Sequence, residues 1–330
     1  MKWNLMKAAA AVTAAAAVVA MTACGNQFKA SPDMAGSATI AENVENLEKL
    51  NEKKTEAFLK AVNKKYDVDV TDYTVNFQGE GAIDLELEEL LGDDNDKAIT
   101  LKFGGEVSGD QAGNTKFTDF DGEFGIPVLG DIKMKADSYT DMAAKESYTM
   151  LKEIKAENGL FDLLGAGALS EDVDKWTRSE IKAPEEAKKA VKLTLDPAAV
   201  NGVYMDKNTG SYIVDVNLEA LNSLQENVKI KDAGERKMYL TYDKGLALCG
   251  LHASGENVTM EVVIPEDKAA EANISEDTEL KLQNFVLHID LKALNSGVDV
   301  SVPEDVKANA EENTSDESMD MLSGISDLLS

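Results

Sequence analysis

Apolar and polar residues alternate at a period of two through most of this chain, and this pattern constrains its fold more than any other feature. Tyr73, Val75 and Phe77 alternate with polar residues, and similar runs recur at 212–218, 285–289 and 298–302. Gly, Asp and Asn bound the runs, as in the stretch DQAGN at 110–114, which is typical of a tight turn. The sequence therefore predicts about a dozen antiparallel strands, and no strand–helix–strand rhythm that would indicate a doubly wound fold.

A few segments follow the helical period instead. Residues 41–65 place apolar side chains on one face with Lys and Glu interleaved, which predicts one amphipathic helix beginning near Thr39. Residues 160–169 and 184–189 predict two short helices, and 139–158 fits either a helix or a hairpin. The predicted fold class is α+β, with a large antiparallel sheet packed against an N-terminal helix and short helices.

Composition divides the chain into four segments. Residues 1–23 combine lysines with an Ala/Val run, and residues 24–40 are small and polar, as in a flexible tether. Residues 41–308 carry the strand pattern and are predicted to form a single sheet-rich domain. Residues 309–330 are acidic and rich in Ser and Asn, which predicts either a disordered tail or a short helix.

Cys24 follows a basic start, a short apolar run and the residues Met21, Thr22 and Ala23. This arrangement resembles the lipobox of bacterial lipoproteins. The resemblance implies that 1–23 is a signal peptide, that Cys24 becomes a lipidated N-terminus, and that the protein is held on the outer face of the cytoplasmic membrane. One alternative is an ordinary secretory signal with an incidental cysteine. The other is a transmembrane anchor, but the apolar run is too short to span about 30 Å of hydrocarbon.

The charge of the chain excludes one class of partner. The formal net charge is −28, and loss of residues 1–23, which hold Lys2 and Lys7 and no acidic residue, takes it to −30. Such a chain repels nucleic acid and anionic lipid headgroups. We therefore expect no nucleic-acid partner and a membrane contact made through the anchor on Cys24.

Residue patterns typical of an enzyme are missing from the sequence. Cys249 lies in an apolar run and reads as a buried thiol, while His252 and His288 lie in separate strand-like runs. The acidic loops at 93–97 and 206–210 lack the glycine and bidentate acid of a calcium loop at the required positions, so both are predicted to be hairpin turns. The sequence thus predicts a non-enzymatic protein with no metal site and no cofactor.

Four stretches are similar to the LolA-like half-barrel superfamily, which includes the LppX-type lipoproteins. They are YTVNFQGEGAIDLEL, DVDKWTRSEI, LTYDKGLALCGLHASGENVTMEVVI and FVLHIDLKALNSGVDVSVPEDV. The resemblance covers roughly 40–310 and is one of architecture. It implies that the sheet curves into a half-barrel and encloses an apolar cavity for acyl chains.

The half-barrel resemblance also points to residues that would contact a ligand on the concave face. Residues 160–169 are either a core helix or a mobile lid with glycine hinges. The expected function is non-catalytic binding of a lipid or other apolar ligand, and the alternative is a structural or protein-interaction lipoprotein with a packed core. The predicted ligand-binding residues are Phe77, Phe103, Leu160, Phe161, Leu164 and Trp176.

Overall fold

A computed structural model describes most of the predicted body of the protein. The described residues are 47–84, 98–126, 130–156, 173–181, 193–217, 228–232, 235–256, 258–263 and 277–312. They confirm an α+β protein dominated by antiparallel strands with few helices. The predicted helices at 160–169 and 184–189 lie outside the described residues, as do the signal peptide, the tether and the loop at 93–97.

Contacts group the chain into two compact units. We call the first the helix unit, whose described residues fall within Cys24–Asn76 and Ala190–Gly297. The second is the meander unit, whose described residues fall within Phe77–Lys189 and Val298–Ser330. One strand, Asp72–Asp84, contributes its first residues to the helix unit and the rest to the meander unit.

The helix unit combines one long helix with antiparallel strands. The strand neighbours follow the order β1, β8, β9, β11, β12, β14 and β2, while β13 pairs with both β10 and β14. Its elements are β1 (Leu47–Lys49), α1 (Glu52–Tyr66), the start of β2 (Asp72–Asp84), β8 (Val200–Asp206), β9 (Tyr212–Val216), β10 (Val228–Asp232), β11 (Glu235–Tyr242), β12 (Leu248–Glu256), β13 (Val258–Val263) and β14 (Asp277–Leu294).

The N-terminal helix is shorter than the periodicity predicts, because it begins at Glu52 and not near Thr39. The side chain of Asn51 caps it by accepting a hydrogen bond from the Lys54 amide at 3.0 Å. The residues just before the cap find backbone partners on β8, since β1 pairs with that strand. Extended pairing therefore replaces the helical turns predicted there.

One face of α1 is buried against tyrosines of the sheet. The Phe58 ring lies 4.8 Å from the Tyr212 ring and 5.6 Å from the Tyr242 ring, centroid to centroid. The Tyr66 hydroxyl donates to the Leu246 carbonyl at 3.1 Å and accepts from the Leu248 amide at 2.9 Å. These contacts fix the helix over the apolar side of the sheet.

The meander unit consists of consecutive antiparallel strands. Its elements are the rest of β2, β3 (Ala98–Asp110), β4 (Thr115–Ile126), β5 (Gly130–Asp141), β6 (Glu146–Ala156), β7 (Trp176–Glu180), α2 (Glu304–Asn309) and β15 (Glu311–Glu312). Each strand pairs with the next along the chain, and β15 pairs in parallel with β7. The segment 139–158, open in sequence between helix and hairpin, contains the β5–β6 hairpin, where Asp141 accepts from the Ala144 amide.

The turns at 110–114 and 206–210 are confirmed, and both close on an aspartate side chain. Asp110 accepts from the Asn114 amide at 3.0 Å, and Asp206 accepts from the Asn208 amide at 2.7 Å.

The strand predicted at 298–302 is wrong, because these residues pair with no other strand in a hydrogen-bonded ladder. The apolar and polar residues alternate there because Val300 and Val302 are buried while Ser301 between them is exposed.

Candidate functional site

Four phenylalanines form a continuous aromatic row on three adjacent strands of the meander unit. The Phe77 ring lies 6.1 Å from Phe103 and 5.3 Å from Phe117, and Phe117 lies 6.3 Å from Phe120. Strand alternation explains most of the row, because every second residue of β2, β3 and β4 points to the same face. A β-bulge between Phe117 and Phe120 keeps those two rings on that face as well. The structure thus brings two of the predicted ligand-binding residues, Phe77 and Phe103, together.

A glycine makes room for one ring of the aromatic row. A Cβ added at Gly79 would lie 2.5 Å from Cζ of Phe103, so the ring rests directly on the β2 backbone. An aromatic ring laid over a strand glycine restores the packing that the missing side chain removes. Phe77 and Phe103 are half-buried, while Phe117 and Phe120 are 9% and 6% exposed.

The face that carries the aromatic row is mostly apolar, and part of the reverse face on β4 and β5 is charged. On the reverse face Lys133 pairs with Glu123 at 3.6 Å and Lys135 with Asp121 at 3.6 Å. Such exposed pairs add little stability but keep that face solvated. The apolar residues that continue the row's face across β3–β6 are Leu101, Val107, Phe124, Ile132, Met134 and Leu151.

Trp176 lies on the opposite face of the sheet from the aromatic row. The strand registers align Phe117 with Ser138, Thr149 and Thr177 in turn, so the residue before Thr177 points to the other side. The Trp176 ring is 5.5 Å from Tyr139 and packs in a cluster with Tyr148, Val302 and Val306.

The six predicted residues therefore do not form one surface. Phe77 and Phe103 belong to the aromatic row, and Trp176 belongs to the cluster beside α2. Leu160, Phe161 and Leu164 lie outside the described residues. Sequence reasoning missed Phe117 and Phe120 as site residues. They are three residues apart, so simple alternation places them on opposite faces, and only the β-bulge between them brings both to the same face.

The two histidines of the chain, treated separately in the sequence, are neighbours in the helix unit. His252 on β12 stands directly opposite His288 on β14, and their Nδ1 atoms are 3.2 Å apart. Burial, together with the charge that His288 can carry, lowers the pKa of His252 to about 4. His252 is therefore neutral at pH 7, and one of its ring nitrogens can accept a hydrogen bond.

Cys249 has the environment of a structural thiol. The residue is buried in β12, and burial, with the nearby Asp243 carboxylate, raises the pKa of its thiol to about 11. A thiol with so high a pKa is protonated at neutral pH and is a poor nucleophile.

In the part of the chain that the structure describes, no three His, Cys, Asp or Glu side chains converge as a metal site would require. No helix among those residues has the length and apolar character needed to cross a membrane.

Comparison with known proteins adds no functional assignment. No family model matches the chain, and no curated protein is similar to it. Among solved structures, a beta-barrel-like protein of a domain of unknown function from Brucella abortus is similar over 71% of this chain and 100% of its own, at 9% identity and a TM-score of 0.21. At that TM-score the likeness carries no argument about fold or function.

Proposed function

We propose that this chain is a bacterial surface lipoprotein, anchored through lipid on Cys24, that binds a lipid or other apolar ligand without catalysis. In this proposal the sheet of the meander unit curves as a half-barrel and its apolar face receives the ligand. The lipobox-like sequence supports the anchor and a place on the outer face of the cytoplasmic membrane.

The aromatic row is the observation that carries the ligand-binding proposal. Phe77 and Phe103 are only half-buried, so parts of both rings remain accessible on a face that is mostly apolar. An acyl chain laid across them would gain about 0.8 kcal/mol for each CH₂ removed from water. The reverse face carries ion pairs on β4 and β5, and its aromatic residue Trp176 is packed in the cluster with Val302 and Val306.

A protein-interaction or structural lipoprotein is the second candidate, and one observation favours it. Phe117 and Phe120, at one end of the aromatic row, are nearly as buried as ordinary core residues. If the rest of the row is equally well packed in solution, it stabilises the fold and leaves no room for a ligand. The two candidates thus differ in whether an acyl chain reaches Phe103.

A tryptophan placed in the aromatic row distinguishes these candidates. The chain holds only Trp3 and Trp176, and Trp176 lies on the opposite face. In a Trp176→Phe background, Phe103→Trp puts a reporter over Gly79. We expect brominated fatty acids to quench its emission saturably, with affinity rising by up to about fourfold for each added CH₂.

The matched control is the unsubstituted protein, whose Trp176 should be quenched little by the same fatty acids. Melting temperatures of both proteins confirm that the reporter variant is folded. Absence of saturable quenching in a folded Phe103→Trp variant would contradict ligand binding and favour the interaction protein.

A further inference from the structure

The histidine pair has the geometry of a two-point chelate. His252 and His288 occupy directly opposed positions on two hydrogen-bonded strands, so the sheet itself fixes their spacing. Their ring centroids are 4.5 Å apart with planes inclined at 51°, and the two Nδ1 atoms approach to 3.2 Å. Without a bound ion, this distance accommodates one N–H···N hydrogen bond between neutral imidazoles.

The same distance suits two nitrogen ligands of one metal ion. Metal–imidazole bonds of about 2.0–2.1 Å and an Nδ1–Nδ1 separation of 3.2 Å give an N–metal–N angle of about 100°. That angle lies between the values of square-planar and tetrahedral centres. The separation of the two nitrogens is therefore compatible with both binding one ion.

The surroundings hold His252 in place. Its side chain is 8% exposed, and the Tyr239 ring on β11 stacks on it at 6.4 Å with planes inclined at 18°. His288 is more accessible, which leaves an approach from solvent. A rigid ligand beside an accessible one is a preorganised arrangement, because less conformational freedom is lost when the ion binds.

We propose that His252 and His288 form a binding site for a divalent transition-metal ion, with Cu²⁺ preferred. Imidazole nitrogens suit Cu²⁺, Ni²⁺ and Zn²⁺, and affinity in this series is highest for Cu²⁺. The described residues supply no third His, Cys, Asp or Glu to the pair, so water or an external ligand completes the coordination. The net charge of −28 also raises the local concentration of cations.

This site is independent of the proposed apolar-ligand function, since it lies in the helix unit and uses none of the aromatic row. Either proposal can fail without the other.

Isotopic labelling of histidine tests the site without any change at the pair. The full chain carrying Cys24→Ala, which removes a competing thiol, is prepared with ¹⁴N- or ¹⁵N-histidine and loaded with one equivalent of Cu²⁺. Because the chain has two histidines, electron paramagnetic resonance should show splitting from two imidazole nitrogens that changes with the isotope. A spectrum that is the same for both isotopes would overturn the proposal.

Substitution gives a second and quantitative test. We expect His288→Gln to reduce the number of imidazole nitrogens that split the Cu²⁺ signal from two to one. We also expect it to weaken Cu²⁺ binding by roughly tenfold or more, because losing a ligand should cost at least as much affinity as losing an outer-shell partner of a ligand. Ser254→Ala, on the same strand as His252, is the matched control and should bind as the parent does. Equal Cu²⁺ affinity in parent and His288→Gln would show that surface carboxylates bind the ion instead.

Discussion

Gly250→Ala should destabilise the helix unit strongly. A Cβ at this position would overlap the carbonyl oxygen of Ile289, which is backbone on the paired strand β14. The backbone cannot move aside as a flexible side chain would, so the ladder between β12 and β14 must open locally. Overpacking of this kind costs about 1–3 kcal/mol, and broken ladder hydrogen bonds add to it, so we expect about 3 kcal/mol.

Chemical denaturation of the substituted and parent proteins measures this cost. Gly245→Ala is the matched control, because a Cβ there meets only the Asp243 side chain, at 3.2 Å, in an exposed turn. We expect a loss below about 1 kcal/mol for the control. Equal midpoints for Gly250→Ala and the parent would contradict the close approach of β12 and β14.

Asp72→Ala should give the second-largest loss of stability. This carboxylate is 6% exposed at the start of β2, and its Oδ1 accepts hydrogen bonds from the amides of Ser296 at 2.8 Å and Gly297 at 3.0 Å. The Thr71 hydroxyl donates to its Oδ2 at 2.9 Å. Hydrogen bonds to a charged group contribute about 1.5–3 kcal/mol each, but solvent reaches the exposed Ser296 and Gly297, so we expect a net loss of about 2–3 kcal/mol.

Thermal unfolding at fixed pH compares Asp72→Ala with two variants. Asp72→Asn keeps one side-chain oxygen as an acceptor and should lose less. Asp299→Ala is the control, because Asp299 also accepts from a backbone amide, that of Ser301 at 2.9 Å, but is fully solvated. A melting temperature for Asp72→Ala equal to that of Asp299→Ala would show that the Asp72 network adds no stability.

Local patterns in the sequence were sufficient to predict most strands and turns. Alternation identified β2, β9 and β14, and aspartate followed by glycine or asparagine identified the turns at 110–114 and 206–210. These features depend on neighbours within a few residues, so they can be read without knowing the fold. The same reasoning misjudged 298–302, because one-sided burial produces alternation even where no strand pairs.

The sites depended on strand register, which the sequence does not specify. Phe77 and Phe103 were predicted to share a surface and do so, but Trp176 is on the reverse face because of a register set by the bulges in β4 and β6. His252 and His288 are 36 residues apart and meet only because β12 pairs with β14. A one-residue shift in the β12–β14 register would place the two histidines on different faces of the sheet.

The central claim is that this chain is a lipid-anchored protein, and metabolic labelling with a fatty-acid analogue tests it most directly. Cys24 would be the lipidated residue, because it follows a basic start, a short apolar run and small residues. We expect the unsubstituted protein to carry the label and to fractionate with membranes, and Cys24→Ala to be unlabelled and either released or left as the longer precursor. Cys249→Ala, which removes the buried cysteine, should be labelled like the parent. Equal labelling of the parent and Cys24→Ala, or no labelling of either, would contradict the lipoprotein proposal.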